Sequence, residues 1–325
     1  MAASEFAPAR FLQQPAAGMQ QGPAQDQHQE QGWRQKPALL ILNQPVASLD
    51  LLQRLWAHTS YRLCADGGAN RLYDTFDGLD DADARRLEFT PSFLASPLHL
   101  LSLRLRFPRD SHTLSPYSSL TTSGPSPQTQ LPTIIHGDLD SLREDVRAYY
   151  ASHGVRISRD PDQYSTDFGK ASKQITSAVP APPPPAYREI LILCTLGGRV
   201  DQGLGLLYEM LRIQAAHAHT RLWLFSESSV SFILPPGEHR IDAPVVRRPQ
   251  RQGARKEQEG QAFFTENVGI LPAFGPATIT TTGLEWDVAD WPTSVDGNVS
   301  TSNHVKAECV TVRTDAKVLF TIERA

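Results

Sequence analysis

Residues 38–68 read ALLILNQPVASLDLLQRLWAHTSYRLCADGG, and the fold class turns on how this stretch divides. Ala38-Leu39-Leu40-Ile41-Leu42 is a short unbroken apolar run, the pattern of a strand buried on both faces. Ser48 stands where an N-cap belongs, ahead of Leu51, Leu52, Leu55 and Trp56 at helical spacing. Tyr61-Arg62-Leu63-Cys64-Ala65 reads as a second strand and runs straight into Asp66-Gly67-Gly68. Strand, helix, strand is the opening of a parallel α/β sheet.

The same alternation continues downstream. Thr133-Ile134-Ile135-His136 is a strand, and Ser141 with Glu144 fits a capping box for a helix carrying Val146, Tyr149 and Tyr150. Val155-Arg156-Ile157 is a further short strand, and Ser165-Thr166-Asp167 starts a helix. Glu189-Ile190-Leu191-Ile192-Leu193-Cys194 is the clearest buried strand, and a helix through Leu206, Leu207 and Met210 follows it. Leu222-Trp223-Leu224-Phe225 is expected to close this sheet. Beyond Ser228 the period changes to two: Val230, Phe232 and Leu234 lead into Pro235-Pro236-Gly237, and β-branched runs recur at 277–281, 310–312 and 318–322. That pattern predicts an all-β sandwich or jelly roll. The expectation is a parallel-sheet α/β domain over 37–227 followed by an all-β sandwich domain over 228–325.

Three stretches fall outside this pattern. Residues 1–36 hold nine glutamines and read as a disordered tail. Residues 90–130 are rich in Ser, Pro and Thr and read as a low-complexity insertion, longer than a compact domain usually tolerates. A retained intron is the bolder reading, because the chain runs smoothly from Leu87-Glu88-Phe89 to Leu131-Pro132-Thr133. The basic stretch Arg247–Lys256 reads as a solvated loop, and Pro180–Pro185 as a stiff linker.

Composition excludes several classes. With 40% hydrophobic and 20% charged residues the chain is globular, and a net charge of −4 does not suit nonspecific nucleic-acid binding. No apolar run approaches the length of a membrane span, and the N-terminus lacks the apolar core of a secretory signal. Cys64, Cys194 and Cys309 are scattered and form no C-x-x-C pair. A cytoplasmic protein that binds neither membrane nor nucleic acid is expected, in which the sequon Asn298-Val299-Ser300 is idle.

Acids and glycines gather just after strands: Asp66-Gly67-Gly68, then Asp138 and Asp140, then Gly197-Gly198-Arg199. In open parallel sheets ligands bind outside the carboxyl ends of the strands, so these segments can converge on one cleft. Asp138 and Asp140, with Asp167, can offer oxygens to a hard cation such as Mg²⁺, or they can be a turn acid and a helix cap. The glycine pairs can admit phosphates to backbone amides at helix N-termini or simply turn the chain. Arg199 can neutralise a phosphate or lie on the surface, and Trp286 can stack on a ligand, although the core is the default place for a lone Trp. P-loop, dinucleotide-fingerprint, zincin, nucleophile-elbow and protein-kinase motifs are absent.

Taken together the segments resemble the thiamine pyrophosphokinase (thiamine diphosphokinase) family. The resemblance is carried by Cys64-Ala-Asp-Gly-Gly-Ala-Asn-Arg71, Gly137-Asp-Leu-Asp-Ser141 and Asp162-Gln-Tyr-Ser-Thr-Asp-Phe168. Gly197-Gly-Arg-Val-Asp-Gln202, Thr282-Gly-Leu-Glu-Trp286 and Ser300-Thr-Ser-Asn303 complete it in family order. It implies transfer of the diphosphate of ATP to the hydroxyl of thiamine, an α/β catalytic domain, a β-sandwich, and a homodimer with active sites at the subunit interface. It implies that Asp138, Asp140 and Asp167 hold Mg²⁺, that Arg199 is catalytic, and that Asp66, Gly67, Gly68, Gln163, Thr166, Asp201 and Gln202 bind ATP. Trp286, Ser302 and Asn303 of a second subunit would hold thiamine. Two other expectations compete with it. One is a weak thiamine- or nucleotide-binding protein disabled by the insertion. The other is an unrelated Mg²⁺-dependent nucleotide-processing enzyme, which has no need of Trp286 and the 300–303 run.

Overall fold

The computed structural model of the protein describes residues 3–14, 36–77, 130–182, 186–245 and 262–325. The described residues up to Thr75 and from Leu131 onward form one compact unit. The insertion (except Gln130), the basic stretch Arg247–Lys256, residues 183–185 of the proline run and most of the 1–36 tail lie outside the described residues.

In chain order the elements begin with β1 (Ser4–Phe6), a 3₁₀ turn (Pro8–Phe11), β2 (Ala38–Ile41), α1 (Leu49–His58), β3 (Tyr61–Ala65) and α2 (Gly68–Asp77). After the insertion come β4 (Ile134–Gly137), α3 (Glu144–Ser152), β5 (Arg156–Arg159), α4 (Asp167–Ala178), β6 (Arg188–Leu193), α5 (Val200–Ala216) and β7 (Thr220–Phe225). The remainder is β: β8 (Ser229–Leu234), β9 (Gly237–Asp242), β10 (Phe264–Leu271), β11 (Ala277–Thr282), β12 (Trp291–Thr293), β13 (Ser300–His304), β14 (Cys309–Thr314) and β15 (Val318–Arg324).

Local chemistry explains the first unit. All four residues of β2 are buried, as a central parallel strand requires. The Ser48 hydroxyl accepts from the Leu51 amide at 3.2 Å and caps α1, which buries Leu51, Leu52 and Leu55. The expected capping box at α3 does not form: Arg143 occupies the N-cap without a side-chain bond. The Ser141 hydroxyl instead donates to Asp140, and its amide donates to Asp66. One apolar layer joins Leu40, Leu63, Ile134, Ile190 and Leu222 of the sheet to Ile175 of α4 and Met210 of α5.

Strands β7-β6-β2-β3-β4-β5 are parallel neighbours in that order. Contrary to expectation, β7 does not close the sheet. Residues 226–229 turn the chain, held by a 2.8 Å Ser226–Ser229 hydroxyl contact, and β8 pairs antiparallel with β7. Strands β15, β10 and β13 follow, making one ten-stranded sheet that continues across residue 227. A second sheet, β1-β9-β14-β11-β12, completes the β-rich part. All six residues of β7 are buried, which is what an interior strand requires and an edge strand does not.

The tail also departs from its reading. Residues 3–14 are ordered: β1 pairs parallel with β9, and Phe6 stacks on Phe232 at 5.0 Å. Phe11 meets Trp223 edge to face at 5.3 Å, and Arg54 donates to the Leu12 carbonyl at 2.6 Å. Two aromatic anchors outweigh the polar composition around them.

Candidate active site

Strands β3, β4 and β5 are laid down successively to one side of β2, whereas β6 lies on its other side. The winding therefore reverses between β2 and β6, the place where such sheets open a ligand crevice at their carboxyl ends. Backbone strain gathers at the same edge. Asp66 (φ 42°) follows β3, Leu139 (φ 65°) follows β4, and Cys194 (φ 65°) and Leu196 (φ 48°) follow β6. Left-handed non-glycine residues are costly, and they persist where surrounding structure imposes them, often at working sites.

Three carboxylates converge there. Asp66 ends β3 and is 1% exposed; its Oδ2 accepts from the Ser141 amide at 3.1 Å, and its Oδ1 is buried without a partner. Asp138 follows β4. Asp167 is the first residue of α4, placed by the N-cap Thr166, whose hydroxyl accepts from the Gly169 amide at 3.0 Å. One oxygen from each of Asp66, Asp138 and Asp167 lies within 4.8 Å of the other two. Gly137 permits the approach, because a Cβ there would stand 2.9 Å from the Asp66 Cβ and 3.2 Å from Asp167 Oδ1.

The electrostatics follow from that crowding. Burial, reinforced by the charges of Asp138 and Asp66, pushes Asp167 up to about 6. Burial also raises Asp66. Asp138 goes the other way, because Lys170 donates to its Oδ2 at 2.8 Å and favours the charged form. Lys170 is 2% exposed, and the hydrogen bond and charge of Asp138 raise it against the effect of burial. Sequence reading missed this lysine. Its only trace is an Asp-x-x-Lys spacing, the same as that of any solvated pair on a helix.

The other expected residues lie around the trio or apart from it. Asp140 lies outside the trio and is exposed: its amide is 3.4 Å from Asp138 Oδ1, and its carboxylate accepts from the Ser141 hydroxyl. Asp66, expected on the nucleotide side, supplies the third carboxylate of the trio. The left-handed turn at Leu139 separates the two acids of the D-x-D. Gly67 stands between β3 and α2 and Gly68 opens α2, where a Cβ on Gly68 would stand 2.3 Å from the Ile41 carbonyl oxygen. Gln163 and Thr166 are exposed on the loop before α4, whose turn Asp162 holds by accepting from the Tyr164 amide at 2.9 Å. Arg199 is the exposed N-cap residue of α5 and is bridged to Asp201 at 3.1 and 2.6 Å, with Gln202 exposed beside them. Gln44, unnoticed in the sequence, comes from the β2 side and packs against Gly198.

Trp286, Ser302 and Asn303 come together elsewhere, in a cavity of about 280 Å³ that Ile270, Trp291 and Ser300 also line. Trp286 is 55% exposed, so the core default for a lone tryptophan fails here. Asn303 is committed to it: its Nδ2 donates to the Trp286 carbonyl at 2.9 Å, and its Oδ1 accepts from the Trp286 amide at 3.1 Å. Asp287 fixes the same turn by accepting from the amides of Gly283 and Leu284 at 3.0 and 3.1 Å.

Among the described residues no helix is long and apolar enough to cross a membrane. Residues 52–224 match the family model described as thiamin pyrophosphokinase, catalytic domain, and residues 253–319 match the thiamin pyrophosphokinase vitamin B1 binding domain. Thiamine pyrophosphokinase 1 of Arabidopsis thaliana is 31% identical over 287 residues, covering 88% of this chain and 85% of its own. Thiamine pyrophosphokinase of Saccharomyces cerevisiae is 28% identical over 320 residues, covering 88% and 84%. The crystal structure of yeast thiamin pyrophosphokinase superposes with a TM-score of 0.66 at 22% identity, over 99% of this chain and 91% of that one. The Candida albicans enzyme gives 0.64 at 21%, over 99% and 94%.

Proposed function

The chain belongs to the thiamine pyrophosphokinase family, and from that premise we propose how its residues carry the family's reaction. It is an ATP:thiamine diphosphotransferase. The thiamine hydroxyl oxygen bonds to the β-phosphorus of ATP, the bond from that phosphorus to the α,β-bridging oxygen breaks, and AMP leaves. The hydroxyl proton passes to a carboxylate at the sheet edge. Such a transfer asks the protein chiefly for positioning and charge stabilisation.

The observation that carries the site assignment is the pair of buried oxygens that accept no hydrogen bond, Asp66 Oδ1 and Asp167 Oδ1, within one carboxylate trio. Hard, anionic oxygens left without hydrogen-bond donors suit a cation, so Asp66, Asp138 and Asp167 would hold Mg²⁺, which when bound neutralises charge on the triphosphate. Gln44, Gly198 and the exposed Arg199, Asp201 and Gln202 flank the β2/β6 crevice and would receive the nucleotide. Thiamine carries a flat, cationic thiazolium ring, and the exposed Trp286 suits it. Asn303 would orient that indole, leaving Ser302 the freer hydrogen-bonding group.

The homodimer belongs to this proposal. β13 and β3 are seven strand steps apart in the ten-stranded sheet, about 34 Å along it at normal strand spacing. One chain's Trp286 pocket therefore lies far from its own acid trio, and a second copy would supply the missing half of each site. The three free cysteines, two of them buried with thiols raised by burial, accord with a reducing, cytoplasmic setting.

The test is complementation. Purified protein with thiamine, ATP and Mg²⁺ should form AMP and thiamine diphosphate, and Asp138→Asn and Trp286→Ala should each be nearly inactive. Mixed and re-equilibrated, the two variants should recover about a quarter of the activity, since half the dimers pair the two chains and one of their two sites is intact. No recovery from mixed dimers of proven composition sinks the shared site. Thiamine binding without product would favour the weak-binder alternative.

A further inference from the structure

Lys170 belongs to none of the motifs that carry the resemblance, yet among the described residues no charged side chain lies deeper beside the acid trio. It projects from α4 one turn beyond Asp167 and is 2% exposed. Its ammonium donates to Asp138 Oδ2 at 2.8 Å and stands 3.9 Å from Asp167 Oδ1. Lysine is almost never fully buried unless paired, and here the pairing partner is itself a member of the trio. Among the described residues, one ammonium stands in ion-pair range of the trio, and Asp140 adds a further negative charge that acts on Asp167. Asp160 adds a more distant negative charge and His136 lies on the same side.

We propose that Lys170 is an internal counter-ion for the acid trio: it holds Asp138 in place before a divalent cation arrives and competes with that cation for the same carboxylate. The inference rests on the reading of Asp66, Asp138 and Asp167 as a metal site. Asp138 has one oxygen committed to Lys170 and the other facing the Asp140 amide at 3.4 Å. A cation entering the trio must share or displace the ammonium. Lys170 is thus a positioning residue that acts through Asp138. Its presence lessens carboxylate repulsion in the cation-free protein and weakens cation binding relative to a bare trio.

A merely structural buried pair makes a different prediction, so the two can be separated without measuring turnover. In Lys170→Met, whose side chain matches lysine in length without its charge, the melting temperature in EDTA should fall. Mn²⁺ titrated calorimetrically into the full chain without nucleotide should bind at least about tenfold more tightly, the direction that Coulomb's law gives for removing a neighbouring cation. The double variant Asp138→Asn/Lys170→Met should regain much of the stability in EDTA, which also guards against a single variant that fails to fold. Mn²⁺ affinity unchanged or weaker in Lys170→Met, with a normal far-ultraviolet spectrum, overturns the counter-ion role. Wild-type protein that binds no Mn²⁺ at millimolar concentration overturns the metal-site reading itself, and the inference with it.

Discussion

At the scale of single residues, the division of labour among the acids is the sharpest consequence of the structure. Asp66 and Asp167 each carry a buried oxygen without a hydrogen-bond partner, whereas the carboxylate of Asp140 is exposed and bonded to Ser141. Asp66→Asn and Asp167→Asn should each lower kcat/KM for ATP by about 100-fold, the scale on which single electrostatic groups act in transition states. Asp140→Asn should cost less than either, and steady-state kinetics on the three variants checks the order. Asp138 was legible as half of a D-x-D and Asp66 as an acid after a strand. Lys170 was not, because burial alone distinguishes it from a surface lysine three residues after an aspartate.

At the scale of elements, two glycines set how closely helices and strands approach the site. A Cβ on Gly137 would meet Asp66 and Asp167, and one on Gly68 would strike the backbone carbonyl of Ile41, which cannot swing away. Gly137→Ala should therefore spread the trio and lose most activity, for a stability cost of about 1–3 kcal/mol, as overpacking usually brings. Gly68→Ala should cost at least as much stability by lifting α2 off β2; urea unfolding of both variants gives the comparison. Strand β2, helix α1 and strand β3 were readable because their signals are local: an apolar run, a cap and a 3.6-residue period. The capping box failed because Ser141 has a better use, its amide bonding Asp66 from 75 positions away.

For the whole molecule, residues 3–14 join distant parts. Phe6 lies between Trp223, Phe232 and His239, and Arg221 stacks over its ring at 3.9 Å while donating to the Glu5 carbonyl at 2.9 Å. Phe6→Ala should destabilise by about 3–5 kcal/mol, as for other buried phenylalanines, measured by denaturant titration, with the acid trio untouched. His239 beside it is 2% exposed and held below its ordinary value by burial, the nearby charge of Arg221 adding to the effect. As pH falls through 6.5 the unfolded chain takes up a proton that the folded chain refuses, so this group's contribution to stability is present above pH 6.5 and lost below it. The melting temperature should drop between pH 7 and 5.5, and His239→Gln should drop less.

The sequence by itself determined what is local or periodic: the α/β opening, the β-rich remainder, the cap at Ser48, the helix start at 165–167, and the six segments that mark the family. Only the tertiary structure decided which acids meet, that Lys170 is buried among them, that Asn303 holds Trp286, and that one sheet of ten strands runs through both halves. The physical reason is range. Helix period and capping depend on neighbours within a turn or two, whereas a carboxylate's environment and a strand's second partner depend on segments brought together by burial.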